Sequence, residues 1–180
     1  MKYIIKLIIA AVPVVIVGVF YIETVRYSLG NLFFMGIFFM TFGVFVYSTK
    51  YARVKKNKPS KLDALIIGIS QAFAVFPGVS RSGMTMGSGL ILGINKDEAI
   101  KFSFLVAIPI IIGAAIYQAE EITLSNIAYS TLITSFTVTL LTSLLTIKLL
   151  IRVIKNNKFY LFGYYNFALG FILLVVSFFR

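Results

Sequence analysis

Apolar runs separated by short polar breaks make up the chain, and the runs fall into two length classes. Five are long enough, or nearly so, to cross a bilayer core as helices: Ile4 to Ile22, Leu29 to Ser48, Phe102 to Ala119, Ile127 to Ile147 and Phe159 to Phe179. Between the second and third lie two shorter runs, Leu62 to Phe76 and Met84 to Ile94, joined by the segment PGVSRSG, Pro77 to Gly83. As helices these reach only about 16 to 22 Å, less than the roughly 30 Å hydrocarbon core. Neither crosses alone, so the pair is either one broken span or a hairpin that enters the membrane and returns.

Charge separates the two readings, because lysine and arginine gather in cytoplasmic loops. A returning hairpin puts Lys50 to Lys61, Asn95 to Lys101 and Lys148 to Lys158 on one side, and the acidic pair Glu120 and Glu121 on the other. A crossing segment would send the basic Lys148 to Lys158 loop outside and the glutamates inside. The pattern therefore predicts an all-α integral membrane protein with about five transmembrane helices and one re-entrant helix-turn-helix hairpin. Two spans occupy 1–49, a cytoplasmic basic loop 50–61, the hairpin 62–94 and three spans 102–179, with the N-terminus cytoplasmic and Arg180 outside. Lys2 and Lys6 before an apolar run resemble a signal peptide, but no small-residue cleavage site follows, which favours an uncleaved first span. Pro13 and Pro109 fall inside spans and mark structural kinks.

Composition agrees with this reading and narrows the chemistry. Of 180 residues 59% are hydrophobic and 13% charged, with a mean hydropathy of +0.97. The net charge of +11 does not indicate nucleic acid, since ten of the seventeen basic residues lie in Lys50 to Lys61 and Lys148 to Lys158, the loops beside the membrane. Cysteine and histidine are absent, which excludes thiolate catalysis, disulfides and Cys or His metal ligands. Acids and bases are confined to Ser, Thr, Tyr, Lys and six carboxylates: Glu23, Asp63, Asp97, Glu98, Glu120 and Glu121.

PGVSRSG carries the candidate chemistry. Pro77 ends the first half-helix and Gly78 permits the turn. Ser80 or Ser82 can cap the second half-helix, whose amide end attracts anions. Arg81 adds a planar fork of donors suited to phosphate. An arginine at mid-membrane costs about 2.5 to 3.5 kcal/mol and needs a partner, which a bound anion supplies. Ser80, Ser82 and Thr85 are expected to present hydroxyls on one side, and Gln71 to aim an amide at the same cavity. Together these suggest a ligand with a phosphate head and a lipid tail. The competing structural reading has Arg81 snorkelling or binding helix carbonyls to stabilise the turn. Gly83, Gly87, Gly89 and Gly93 read as packing positions, small residues four apart that let helices approach.

From Ile67 to Ala114 the sequence, with Pro77, Gly78, Ser80, Arg81, Ser82 and Thr85 in a Pro-Gly-x-Ser-Arg-Ser-x-x-Thr motif, closely resembles the second conserved region of the undecaprenyl-diphosphatase family, also called bacitracin-resistance proteins. The resemblance implies a membrane phosphatase that removes the terminal phosphate of an isoprenoid diphosphate to recycle the lipid carrier of cell-envelope synthesis. It implies catalytic roles for Ser80, Arg81 and Thr85, and phosphate binding by Gly78, Arg81, Ser82 and Gly83 beside Gln71. It further implies a divalent cation, magnesium or calcium, whose ligands are not evident, and a plasma-membrane location. The family's first repeat, with paired glutamates and a Ser-Ser-x-x-His-type motif, has no counterpart here. The expected partners are the isoprenoid diphosphate lipid, the bilayer, and a second copy or a separate chain bearing the first repeat. The alternative is a lipid-phosphate-binding protein or transporter without hydrolysis.

Overall fold

A computed structural model describes residues 2–20, 30–119 and 129–179, and over these the chain is all-α. Seven helices follow in order: α1 (Lys2–Phe20), α2 (Leu32–Ser48), α3 (Lys61–Ala72), α4 (Arg81–Ile91), α5 (Lys96–Ala119), α6 (Tyr129–Lys155) and α7 (Leu161–Phe178). Four stretches are long and apolar enough to cross a membrane: Leu32–Tyr51, Lys96–Ile116, Tyr129–Lys155 and Leu161–Phe178. The 19 residues of α1 span about 28 Å. The chain is a multi-pass membrane protein. Pro13 and Pro109 lie within continuous helices. The Glu120 and Glu121 loop, Glu23 and Arg180 lie outside the described residues.

The two short runs form a hairpin, and its flanks show that it returns. Segments on either side of it are hydrogen-bonded: Lys55 and Lys56 N–H donate to the Gly93 carbonyl at 2.7 and 3.0 Å, and Asn95 N–H donates to the Lys56 carbonyl at 2.9 Å. A span broken but crossing would separate these residues by the bilayer. Helices of 12 and 11 residues reach about 18 and 16 Å, so the bend sits at depth if the ends sit at one surface.

Other contacts bring the remaining basic segments to that same end. Lys6 Nζ donates to the Pro59 carbonyl at 2.6 Å, Lys96 Nζ to the Lys155 carbonyl at 3.0 Å, and Lys155 pairs with Asp97 at 2.8 Å. The charge pattern therefore has a geometric counterpart in a single basic end of the bundle.

Packing is close where glycines meet. In α2 and α7, Gly43 lies against the Gly163 carbonyl and Gly36 against the Gly170 carbonyl, with an added Cβ meeting those oxygens at 3.2 and 3.1 Å. Such approach replaces the hydrophobic drive that lipid removes with close van der Waals contact. In α4, Gly83 and Gly87 face the rings of Phe42 and Phe45, and Gly89 faces Ala99 of α5. The core of the hairpin region is then closed by Ile67, Met86, Phe102 and Val106, all nearly inaccessible.

Candidate functional site at the hairpin bend

Three local rules write the bend. Phe76, preceding proline, is extended at φ −76° and ψ 147°, as steric contact with the proline ring demands. Gly78 has φ +88°, a region that side chains resist, and the Phe39 ring occupies the space its Cβ would need. Ser80 then caps α4, its Oγ accepting from the Gly83 N–H at 3.2 Å. The cap satisfies one amide, while those of Arg81 and Ser82, the first two helical residues, have no acceptor among the described residues. They form the positive end of the helix.

This end opens into a cavity of about 520 Å³ between α2, α6 and α7. Gly78, Val79, Ser80, Ser82 and Gly83 line one side; Phe39, Phe42, Leu149, Leu150, Phe159 and Phe162 supply an apolar wall. Ser80 and Ser82 hydroxyls lie 3.4 Å apart. Polar exceptions in the lining are Thr146, Tyr165 and Asn166, the last buried with its amide donating to the Phe162 carbonyl at 2.6 Å. A pocket that is apolar on most faces and polar at a helix amide end suits an amphiphile with an anionic head.

The expected residues divide into two groups. Gly78, Ser80, Ser82 and Gly83 come together at the cavity. Gln71 does not: fully buried, it donates from Nε2 to the Ala10 carbonyl of α1 at 3.5 Å, and its Oε1 has no partner among the described residues. The face of α3 that carries it is the one Gly68 lays against Ala10, so Gln71 follows its helix toward α1. Nor does Thr85 share a side with the serines. Only 2% exposed, it points into the α4–α5 interface, bonding the Arg81 and Ser82 carbonyls at 3.2 Å and forming a hydroxyl pair with Ser103. Thr85 is offset from Ser82 by only about 60° around the helix, so it is the contact with Ser103 of α5 that takes it away from the cavity. Arg81 is half-buried, pairs with no carboxylate among the described residues, and stands outside the cavity lining.

With the geometry in view, comparison with known proteins decides the relationship. Residues 1–172 match the family described as bacitracin resistance protein BacA. The chain belongs to this family. It is 38% identical over 172 residues to the undecaprenyl-diphosphatase of Methanococcus vannielii, covering 92% of this chain and 68% of that protein. It is 36% identical over 174 residues to the undecaprenyl-diphosphatase of Methanosphaera stadtmanae, covering 95% and 63%. With that of Methanothermobacter thermautotrophicus the identity is 34% over 177 residues, covering 94% and 98%. The chain thus spans about two thirds of the first two relatives and nearly the whole of the third.

The described part of this BacA-family chain forms no ready-made cage of three or more carboxylates for a divalent cation. Asp63 and Asp97 are engaged elsewhere, while Glu98 has a buried Oε1 without a hydrogen-bond partner among the described residues. Asp63 accepts from Lys56 Nζ at 2.6 Å and from Ser60 N–H at 2.7 Å, while Asp97 is held by Lys155. For Asp63, burial pushes the carboxyl pKa up, but the hydrogen bonds from Lys56 and Ser60 outweigh it and hold the group below the ordinary aspartate value.

Proposed function

We propose that the chain is a membrane phosphatase acting on the terminal phosphate of undecaprenyl or a similar polyprenyl diphosphate, and that the α4 amide end is where the diphosphate sits. One observation carries this reading: the Ser80 and Ser82 hydroxyls, at the amide end of α4, open into a mainly apolar cavity of about 520 Å³ inside a bundle of membrane helices. The names of the relatives supply the substrate class. The head would accept hydrogen bonds from the Arg81 and Ser82 amides while the prenyl chain lies along Phe39, Phe42 and Phe162. Arg81, one residue from both serines and without an acid partner among the described residues, supplies the long cationic arm that neutralises charge as the phosphoryl group transfers.

Hydrolysis breaks the bond between the terminal phosphorus and the bridging oxygen, leaving lipid monophosphate and, after water adds, inorganic phosphate. Ser80 is the proposed nucleophile, because its hydroxyl lies at the cavity and beside the helix amides that would stabilise the developing charge. Thr85 and Gln71 are positioning residues in this scheme: they pin α4 to α5 and α3 to α1. No step is assigned to a divalent cation. The plasma membrane is the proposed location, with the basic end of the bundle cytoplasmic.

The test is phosphate release from a long-chain prenyl diphosphate by purified protein in vesicles. Arg81→Ala is expected to lower kcat/KM by about 10- to 100-fold, the worth of a charge-assisted phosphate contact; unchanged release would remove Arg81 from the site. A second reading, a binder or carrier of lipid phosphates, is favoured by the cavity having no carboxylate among its lining residues to act as base. Binding of the diphosphate without any phosphate release would select it.

A further inference from the structure

At the opposite end of α4 a second cavity, of about 390 Å³, lies between the segment after α2, the α4–α5 connection and the α6–α7 turn. Its lining brings together Lys50, Arg53 and Lys96, with the amide of Asn157 and no carboxylate. These residues are distant in sequence, so the fold assembles them. Lys50 Nζ is held 5.5 Å from the ring centres of both Tyr47 and Tyr160. Lys96 Nζ is fixed by the Lys155 carbonyl at 3.0 Å, and Arg53 has no ion pair among the described residues. The neighbouring acid, Asp97, is already taken by Lys155.

Three basic side chains line one hollow with no carboxylate in its lining, and their like charges favour the entry of a counter-charge. The carboxyl end of α4 supplies no amides to help, because its carbonyls are closed by Gly93 and Ile94 N–H, bonded to the Leu90 and Gly89 carbonyls at 2.9 and 3.0 Å. The backbone of α4 therefore adds no donor there. Arg53's fork, two ammonium groups and an amide donor match the several acceptor oxygens of a phosphate better than a single-atom anion. The hollow also lies at the basic end of the bundle, where headgroups are found, and Phe159 forms a wall common to it and to the apolar cavity at the bend.

We infer that this cavity is a second, non-catalytic site for an anionic phosphate group, held by Lys50, Arg53 and Lys96. The inference does not depend on what the bend binds. Its ligand is either the headgroup of an anionic phospholipid or free inorganic phosphate, since both present the same oxygens.

The full chain is reconstituted in phosphatidylcholine vesicles with a minor share of phosphatidic acid, and the lipid retained on extraction is measured by native mass spectrometry. Arg53→Gln and Lys50→Gln are each expected to reduce retained phosphatidic acid about fivefold, the effect of one basic contact at a membrane surface. Lys58→Ala, a basic loop residue outside the cavity lining, is expected to leave it unchanged. A parallel series in pure phosphatidylcholine follows thermal unfolding with added inorganic phosphate. Stabilisation by phosphate that Arg53→Gln abolishes identifies the free ion, and retention of phosphatidic acid without it identifies the lipid. Unfolding midpoints of the ligand-free variants confirm that each is folded. The inference is overturned if the wild-type chain shows neither effect, or if Lys58→Ala weakens retention as much as Arg53→Gln does.

Discussion

The two ends of α4 face different cavities and attract negative charge by different means. At the amide end the backbone does it: a bend through Pro77 and Gly78 leaves N–H groups open, and only Ser80 intrudes as a cap. At the carboxyl end the backbone is closed on itself by Gly93, and long side chains do it instead. Fixed dipoles need no reorganisation when charge develops, whereas lysine ammonium groups on flexible stems bind without directing. The contrast suits chemistry at one end and adhesion at the other.

The largest test of that contrast removes the hydroxyl but keeps the cap. Asparagine caps a helix about as well as serine, so Ser80→Asn should leave the unfolding midpoint unchanged while phosphate release falls by about 10³-fold if the hydroxyl is the nucleophile. Equal losses of stability and activity would instead mark Ser80 as structural. Next is the bend itself. Gly78→Val forces a branched side chain into a positive-φ position against Phe39, a strain of about 1 to 3 kcal/mol, and should lower the unfolding midpoint together with diphosphate binding. At the other end Gly93→Val meets the same φ problem, at +78°, and the Arg53 carbonyl at 2.9 Å. It should cost comparable stability and loosen anion retention at the basic cavity. Phosphate release per folded molecule should stay near the wild-type value, and a matched fall there would mean that the ends are not independent.

Much of the amide end was legible in the sequence, because its signals are local. Run lengths too short to cross, a Pro-Gly break and a serine two residues past the glycine predict a capped hairpin, and the charged flanks predict that it returns. What was not legible depends on neighbours. Gln71 and Thr85 carry the right chemistry, but their direction is set by which helices pack beside them, α1 for Gln71 and α5 for Thr85. The seven-residue spacing of Gly36 and Gly43, and of Gly163 and Gly170, is visible in the chain, yet only the fold shows that the two pairs face each other. The basic cavity was hidden for the same reason, since Lys50, Arg53 and Lys96 read as topology signals until the fold gathers them. The start of α3 carries a local signal as well: Ser60 three residues before Asp63 at the start of an apolar run is a helix-start signature, and the structure forms the reciprocal capping box.

That capping box gives the smallest effect and a pH dependence whose sign can be worked out. Asp63 anchors α3 and holds Lys56, whose backbone is bonded to Gly93, so it braces the closed end of the hairpin. Its pKa is below the ordinary aspartate value of about 3.9, so the folded state binds its proton less readily than the unfolded chain does. The stabilisation is therefore complete above the ordinary value and is lost as pH falls through the lowered one. Unfolding midpoints should be level from neutral pH down to about 5 and fall below about 4, where the unfolded chain takes up the proton that the folded carboxylate resists. Asp63→Asn keeps an oxygen for the Ser60 amide but not the charge for Lys56. It should lower stability near neutrality by about 1 kcal/mol and flatten the acid limb. An acid limb unchanged in Asp63→Asn would assign the pH dependence to other carboxylates, and would leave the hydrogen bonds to Gly93 as the brace that keeps the two flanks of the hairpin at one surface.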